Sequence, residues 1–236
     1  MNREICPHCQ GTGWVIAKKN GREMAEICGC QKVDAVAGRL AQANLPPRFF
    51  KAELNSFFPD KNNREQIRAK KLAVKFVADY PAVGGKGMLF QGPTGVGKTR
   101  LLCAIGYQLI QEKNADVCYL DWNDLVREMR SGEDSATRDF EKISTLINRL
   151  ALAEVLLFDE LGSSKPSPWV EDNIYFLVNR RYNGEKITLF ATNFFDDKVN
   201  IQETLTERIG LRIRSRIFEM ANTVVLTGLD YRQAHM

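Results

Sequence analysis

A chain of 236 residues with 44% hydrophobic and 26% charged residues suits one full-sized globular domain plus a small appendage. No apolar run approaches the roughly 20 residues needed to span a bilayer, and the start Met1–Cys6 has no signal-peptide core, so a cytoplasmic place with no membrane partner is expected. Basic residues number 33 against 29 acidic, and the resulting +4 does not by itself call for nucleic acid but permits a local basic surface.

Four of the six cysteines lie in the first 30 residues, as Cys6-Pro7-His8-Cys9 and Cys28-Gly29-Cys30, with 18 residues between the pairs. In a reducing compartment clustered cysteines read as metal ligands rather than disulfides. Cys6, Cys9, Cys28 and Cys30 form a four-thiolate zinc set, with Gly11 and Gly13 letting the first turn fold tightly. The Cys-x-Cys half is tighter than the usual Cys-x-x-Cys, which makes His8 an alternative ligand. A redox role competes, but no thioredoxin-like βαβ pattern surrounds the motif. A segment of about 40 residues buries too little core to fold alone, and a metal supplies what is missing. A helix is expected from Lys32 to Ala43, broken by Asn44-Leu45-Pro46-Pro47. Residues 1–44 therefore read as a small zinc-binding domain, and 45–236 as the main one.

Pro59–Asn63 is a polar loop, and an amphipathic helix follows over Glu65–Ala78. From Gly87 on, apolar runs at Met88–Gln91, Val117–Leu120, Val155–Phe158, Ile187–Ala191 and Thr223–Leu226 alternate with helical patterns near 98–112, 122–130, 137–151, 170–182 and 203–219. That alternation predicts an α/β three-layer fold around a five-stranded parallel sheet. Ser131–Ser135 and Ser163–Pro168 are expected surface connections, and Cys103 and Cys118 core residues.

Gly92-Pro93-Thr94-Gly95-Val96-Gly97-Lys98-Thr99 satisfies G-x-x-x-x-G-K-[ST] in full, between a strand and a helix. Glycines let the backbone wrap a phosphate chain with its N–H groups inward, at the positive end of a helix. Lys98 is placed to reach the β- and γ-phosphates, and the Thr99 hydroxyl to ligate Mg²⁺. Val155–Phe158 then runs into Asp159-Glu160. Asp159 would hold Mg²⁺ through water and Glu160 would polarise an attacking water. A guanine-reading Asn-Lys-x-Asp is lacking, and the second carboxylate favours ATP hydrolysis to ADP over small-molecule phosphorylation. After the next strand, Ala191-Thr192-Asn193 places Asn193 to contact the γ-phosphate and the water.

Leu205, Ile209, Ile213 and Ile217 make an apolar stripe on a helix expected to run unbroken, and Arg208, Arg212 and Arg216 share the adjacent face. Like charges at this spacing repel by a few tenths of a kcal/mol per pair, so the face becomes favourable beside an anion. One such arginine, supplied in trans, would stabilise charge on a neighbour's ATP. The others read as contacts to nucleic-acid phosphates, and Arg232 as a nucleotide sensor within the subunit.

On Gly92–Thr99, Val155–Gly162, Ala191–Asn193, Glu207–Gly210 with Ser215–Ile217, and Leu45–Phe49, residues 45–236 resemble the DnaC/DnaI family of AAA+ helicase loaders. The cysteine-rich start is similar to the DnaI branch, where a metal-binding domain contacts the helicase. The resemblance implies Arg216 as arginine finger, Arg232 as sensor 2 and Asn193 as sensor 1. It also implies ATP-driven self-assembly and delivery of a DnaB-type helicase to single-stranded DNA. Many relatives carry Asp-Asp where this chain has Asp159-Glu160. An IstB-like transposition helper shares nearly all of the core motifs, and a nucleotide-gated adaptor without turnover is a third reading.

Overall fold

The computed structural model describes residues 6–19, 22–134, 140–197 and 203–232. A hairpin comes first, β1 (Trp14–Lys19) antiparallel to β2 (Arg22–Ile27), followed by α1 (Gly29–Gln42). The hairpin was not anticipated from the sequence, although Asn20-Gly21, outside the described residues, is the strongest two-residue hairpin signal. Trp14 pairs with Ile27 across the ladder, so Trp14, Ile16 and Ile27 share one face, where they are 57%, 75% and 51% exposed. Helix α1 starts earlier than expected and takes Cys30 into its first turn.

Two short 3₁₀ turns, Pro47–Phe49 and Leu54–Ser56, lead to α2 (Arg64–Asp79), whose first turn is capped by the Asn63 side chain accepting from Gln66 N. The main sheet then alternates with helices as β3 (Gly87–Gln91), α3 (Lys98–Lys113), β4 (Val117–Asp121), α4 (Trp122–Asp134), α5 (Phe140–Leu152), β5 (Val155–Asp159), α6 (Pro168–Asn183) and β6 (Ile187–Thr192). After these come α7 (Leu205–Ile209), α8 (Leu211–Met220) and β7 (Ala221–Val225). All five strands are parallel in the order β4-β5-β6-β3-β7, as the alternation of apolar runs and helical patterns predicts. Helices cover both faces. Leu101, Leu102, Ile105 and Leu109 of α3 are fully buried on one, each worth about 2 kcal/mol of apolar transfer. Ile174, Leu177, Ile213 and Ile217 of α6 and α8 fill the other.

Three expectations change. The segment expected as a loop at 131–135 is helical through Asp134, and Ser135 lies outside the described residues, as do 137–139 of the next expected helix. The last strand starts at Ala221 rather than Thr223. The arginine helix is not continuous: Gly210, at φ 83° and ψ 148°, ends α7 and opens α8. The backbone there leaves the helical region altogether, and glycine is the residue that does so at least cost. The four-residue apolar spacing survives the break because both short helices face the same core, so the sequence pattern alone does not reveal it.

The chain ahead of the sheet is tied to it. Leu40, Ala43 and Leu45 belong to the core beneath α3, and the edge strand β4 donates Tyr119 N–H to Ala43 O at 2.7 Å. No helix among the described residues is long and apolar enough to cross a membrane.

Candidate functional site

Strand β3 lies between β6 and β7, and its register sets the site. Gln91 pairs with Thr192 on one side and Val225 on the other. Asn193 and the loop from Gly92 therefore leave the sheet side by side at its C-terminal edge, where ligands of open parallel sheets bind. Asp159 ends β5 in the same layer. Close approach accounts for two glycines of the loop. A Cβ at Gly92 would lie 2.0 Å from Leu226 O, and Gly97, at φ 100°, would put one 2.8 Å from the Phe57 ring.

A cavity of about 420 Å³ opens over this edge. Thr94, Lys98, Thr99, Glu160, Asn193 and Arg232 give it polar groups, while Phe49, Phe57, Phe58 and Tyr231 give it aromatic walls. That size and mixed lining suit a small phosphorylated ligand with a flat base. Lys98 is only 6% exposed, and its ammonium donates to Gly92 O at 2.8 Å, Pro93 O at 2.7 Å and Asn193 Oδ1 at 2.7 Å. Burial lowers its pKa to about 8, against the opposing pull of Glu160 and Asp159. Asn193 turns its amide nitrogen to Glu160 Oε2, 3.0 Å away. Glu160 sits in the left-handed region at φ 52°, a conformation costing on the order of 1–3 kcal/mol in a non-glycine residue. Lys98, Asn193 and Glu160 thus form one hydrogen-bonded chain across the site.

Asp159 is 2% exposed and burial raises its pKa, but two hydroxyls, Thr99 and Tyr119, hydrogen-bond its carboxylate. Tyr119 Oη lies 2.9 Å from Oδ2, and Glu160 N donates to Oδ1 at 2.9 Å. The hydroxyl of Thr99 and a carboxylate in contact are the donor set that a Mg²⁺ ion takes beside phosphates, so the residues fit that ion. Tyr119 and the aromatic walls escaped sequence reasoning. Tyr119 comes from the middle of β4, Phe49, Phe57 and Phe58 from the segment ahead of the sheet, and Tyr231 from the segment after β7, and only the fold brings them to this edge.

Arg232 lines the cavity, held by Tyr231 N donating to Gly95 O at 3.2 Å and by its own N donating to Asp230 Oδ1 at 2.9 Å. The other arginines part company. Arg208 donates to Gly162 O and Ser163 O, each at 2.8 Å, and pairs with Glu203. Arg216 donates to Asn179 Oδ1 and Tyr175 Oη, each at 2.7 Å, on the α6 side. Arg212 stacks 3.8 Å from the Tyr175 ring centroid and stays largely exposed. Arg212 and Arg216 share a face, and Arg208 lies across the Gly210 break from them.

The sulfurs of Cys6, Cys9, Cys28 and Cys30 all lie within 4.8 Å of one another, with Cys6–Cys28 at 3.9 Å and Cys9–Cys30 at 3.5 Å. A zinc tetrahedron with bonds of about 2.3 Å has edges of about 3.8 Å, so the four thiols fit zinc. Backbone N–H of Gly13 leads in lowering the Cys9 thiol to about 7, while Cys28 and Cys9 push Cys30 up to about 12. Four thiolates so close need a cation between them. His8 is exposed and outside the cluster.

Comparison with known proteins agrees with this geometry. The crystal structure of the DnaC helicase loader superposes with a TM-score of 0.63 at 29% identity, covering 77% of this chain and 99% of that one. The replicative helicase loader DnaI of Bacillus subtilis (strain 168) is 29% identical over 66% of this chain, although the match spans only 51% of its own length. The phage-like element PBSX protein XkdC of the same organism is 23% identical over 99% of this chain and 86% of its own. The sheet order and flanking helices are those of the AAA+ fold, as in DnaC. The family described as IstB-like ATP binding protein matches residues 40–235. On that span, which takes in every element of the nucleotide cavity, the chain belongs to the IstB-like ATP-binding protein family.

Proposed function

We propose that the chain hydrolyses ATP and uses it to load a DnaB-type replicative helicase onto single-stranded DNA during replication in the cytoplasm. The observation that carries the hydrolytic part is the Lys98–Asn193–Glu160 hydrogen-bonded chain on the wall of the cavity. Backbone N–H groups from Gly92 to Thr99 and the Lys98 ammonium would bind the β- and γ-phosphates, which displace Lys98 from its carbonyl partners. Asn193 holds the Glu160 carboxylate at the end of β6, where it would accept a proton from the attacking water. Arg232 would meet the phosphates from the same subunit, and Arg216 those of a neighbour in a self-assembled oligomer. Thr99 and Asp159 would hold a Mg²⁺ ion, which would supply charge neutralisation to the phosphates.

The loader part is supported by likeness to DnaC and DnaI and by the cysteine knuckle ahead of the ATPase core. Residues 1–44 would be the helicase-contacting module, held by Zn²⁺, with the exposed Trp14, Ile16 and Ile27 face as its apolar surface. Residues 45–236 would be the ATPase. Co-purification with the host replicative helicase, using intact chain and a Cys9→Ser/Cys30→Ser variant, tests it. Retention by the intact chain alone is expected. If neither is retained, the loader reading fails and the second one, an IstB-like transposition helper favoured by the family match, takes its place.

A further inference from the structure

Charges alternate along α8 as Arg212, Arg214 and Arg216, and the middle one points inward. Arg214 is 7% exposed and makes a two-pronged ion pair with Asp196, through Nε to Oδ1 and through Nη2 to Oδ2 at 2.7 Å. Its Nη1 has no hydrogen-bond partner among the described residues, and the guanidinium lies 5.6 Å from the centroid of the Phe218 ring.

Asp196 has a second tie. Gln91, a polar residue 3% exposed at the end of β3, donates its amide to Asp196 Oδ2 and to Phe194 O, each at 3.3 Å. Gln91 immediately precedes the phosphate loop, and Asp196 lies three residues beyond Asn193, on the same β6 exit. One carboxylate therefore joins the strand entering the loop, the segment carrying Asn193, and α8.

Stability does not call for this arrangement. Arg214 is buried but the Asp196 side chain is 38% exposed, so the pair contributes modestly to stability, and what its two-pronged form adds is a defined geometry. Core packing of Ile213 and Ile217 seats α8 on the sheet, and because Gly210 breaks it from α7 the ion pair is a direct tie from α8 to the segment carrying Asn193. The outer face of α8 carries Arg212 and Arg216 against Tyr175.

We propose that Asp196 and Arg214 are positioning residues: through Gln91 and the Asn193 segment they set α8 according to the occupancy of the phosphate site. The arginine face offered to a neighbouring subunit then follows the subunit's own nucleotide. This rests on the reading that an α8 arginine acts in trans on ATP.

The test is ATP turnover in assemblies of the full chain, with nucleotide affinity read separately from a fluorescent ATP analogue. Asp196→Asn keeps the shape and removes the charge. Turnover is expected to fall roughly tenfold with affinity within about twofold of the parent. Mixing that variant with Glu160→Gln subunits, which keep α8 intact but lack the water-activating carboxylate, should restore turnover at mixed interfaces. No restoration, with affinity unchanged, would overturn the proposal. Arg212→Ala and Arg216→Ala, each mixed with Glu160→Gln, form a separate arm. If neither is restored, it is the trans-arginine reading that falls. Should Asp196→Asn fold poorly, Gln91→Met cuts the same connection at the strand and is expected to give the same drop in turnover, again restored by mixing. Unchanged turnover in Gln91→Met overturns the coupling through β3.

Discussion

Asn193 Oδ1 accepts from Lys98 Nζ at 2.7 Å, which joins the residue after β6 to the first residue of α3 across the mouth of the phosphate loop. The other end of the same amide holds Glu160. Asn193→Ala removes both contacts at once. Turnover is expected to fall by about 10²-fold, the usual loss for one positioned polar group. Binding of a fluorescent ATP analogue should be nearly unchanged, and equal losses in both would remove Asn193 from the chemistry.

Glu160→Gln separates hydrolysis from binding. The amide still reaches Asn193 but cannot take a proton, so turnover should fall by about 10²–10⁴-fold while nucleotide remains bound. An unchanged rate of phosphate release would mean that Glu160 is not the base.

Lys98 gives a pH prediction. Its folded-state pKa of about 8 lies below the ordinary 10.5 because burial disfavours the charge. Between those values the unfolded chain binds more protons than the folded one, so the Lys98 contribution to stability rises with pH through that window and is lost as pH falls through about 8. Phosphates arriving at Lys98 favour its protonated form. ATP binding near pH 9 should therefore take up most of a proton per site. Binding calorimetry in buffers of different ionisation enthalpy reads the number, and no uptake would place Lys98 away from the phosphates.

Tyr119→Phe deletes the hydroxyl that lies 2.9 Å from Asp159 Oδ2. Loss of one buried hydrogen bond to a carboxylate predicts about 1–2 kcal/mol lower stability in urea unfolding. The ring stays in the core, so the slope of the transition should not change.

The cysteine cluster predicts one zinc per chain on a reduced sample, measured by atomic absorption. Chelation should speed protease cleavage within β1 and β2. Nucleotide affinity should be retained, because no cysteine lines the cavity. A folded, reduced chain without zinc would remove the metal assignment.

Much of the molecule is legible from local pattern. Strands β3 to β6 are short apolar runs, and α3 begins where the glycine-rich loop ends, so the parallel sheet and the phosphate loop follow from spacing alone. The four cysteines were placed together by their pairing along the chain. What escaped depends on register between distant strands. Tyr119 reaches Asp159 only because Asp121 pairs with Asp159, and Gln91 reaches Asp196 only because β3 lies beside β6. The arginine stripe misled for a different reason. A four-residue repeat cannot distinguish one helix from two that share a core face, and the single residue that decides it, Gly210, is small enough to pass for either.

The bond from Tyr119 N to Ala43 O has a mechanical consequence. The same residue grips the end of α1 with its backbone and the Asp159 carboxylate with its side chain. A load applied to the cysteine knuckle and passed down α1 must either break that bond or shift the residue that restrains Asp159. The N-terminal helix is thus attached to the sheet at a point one side chain away from the Asp159 carboxylate.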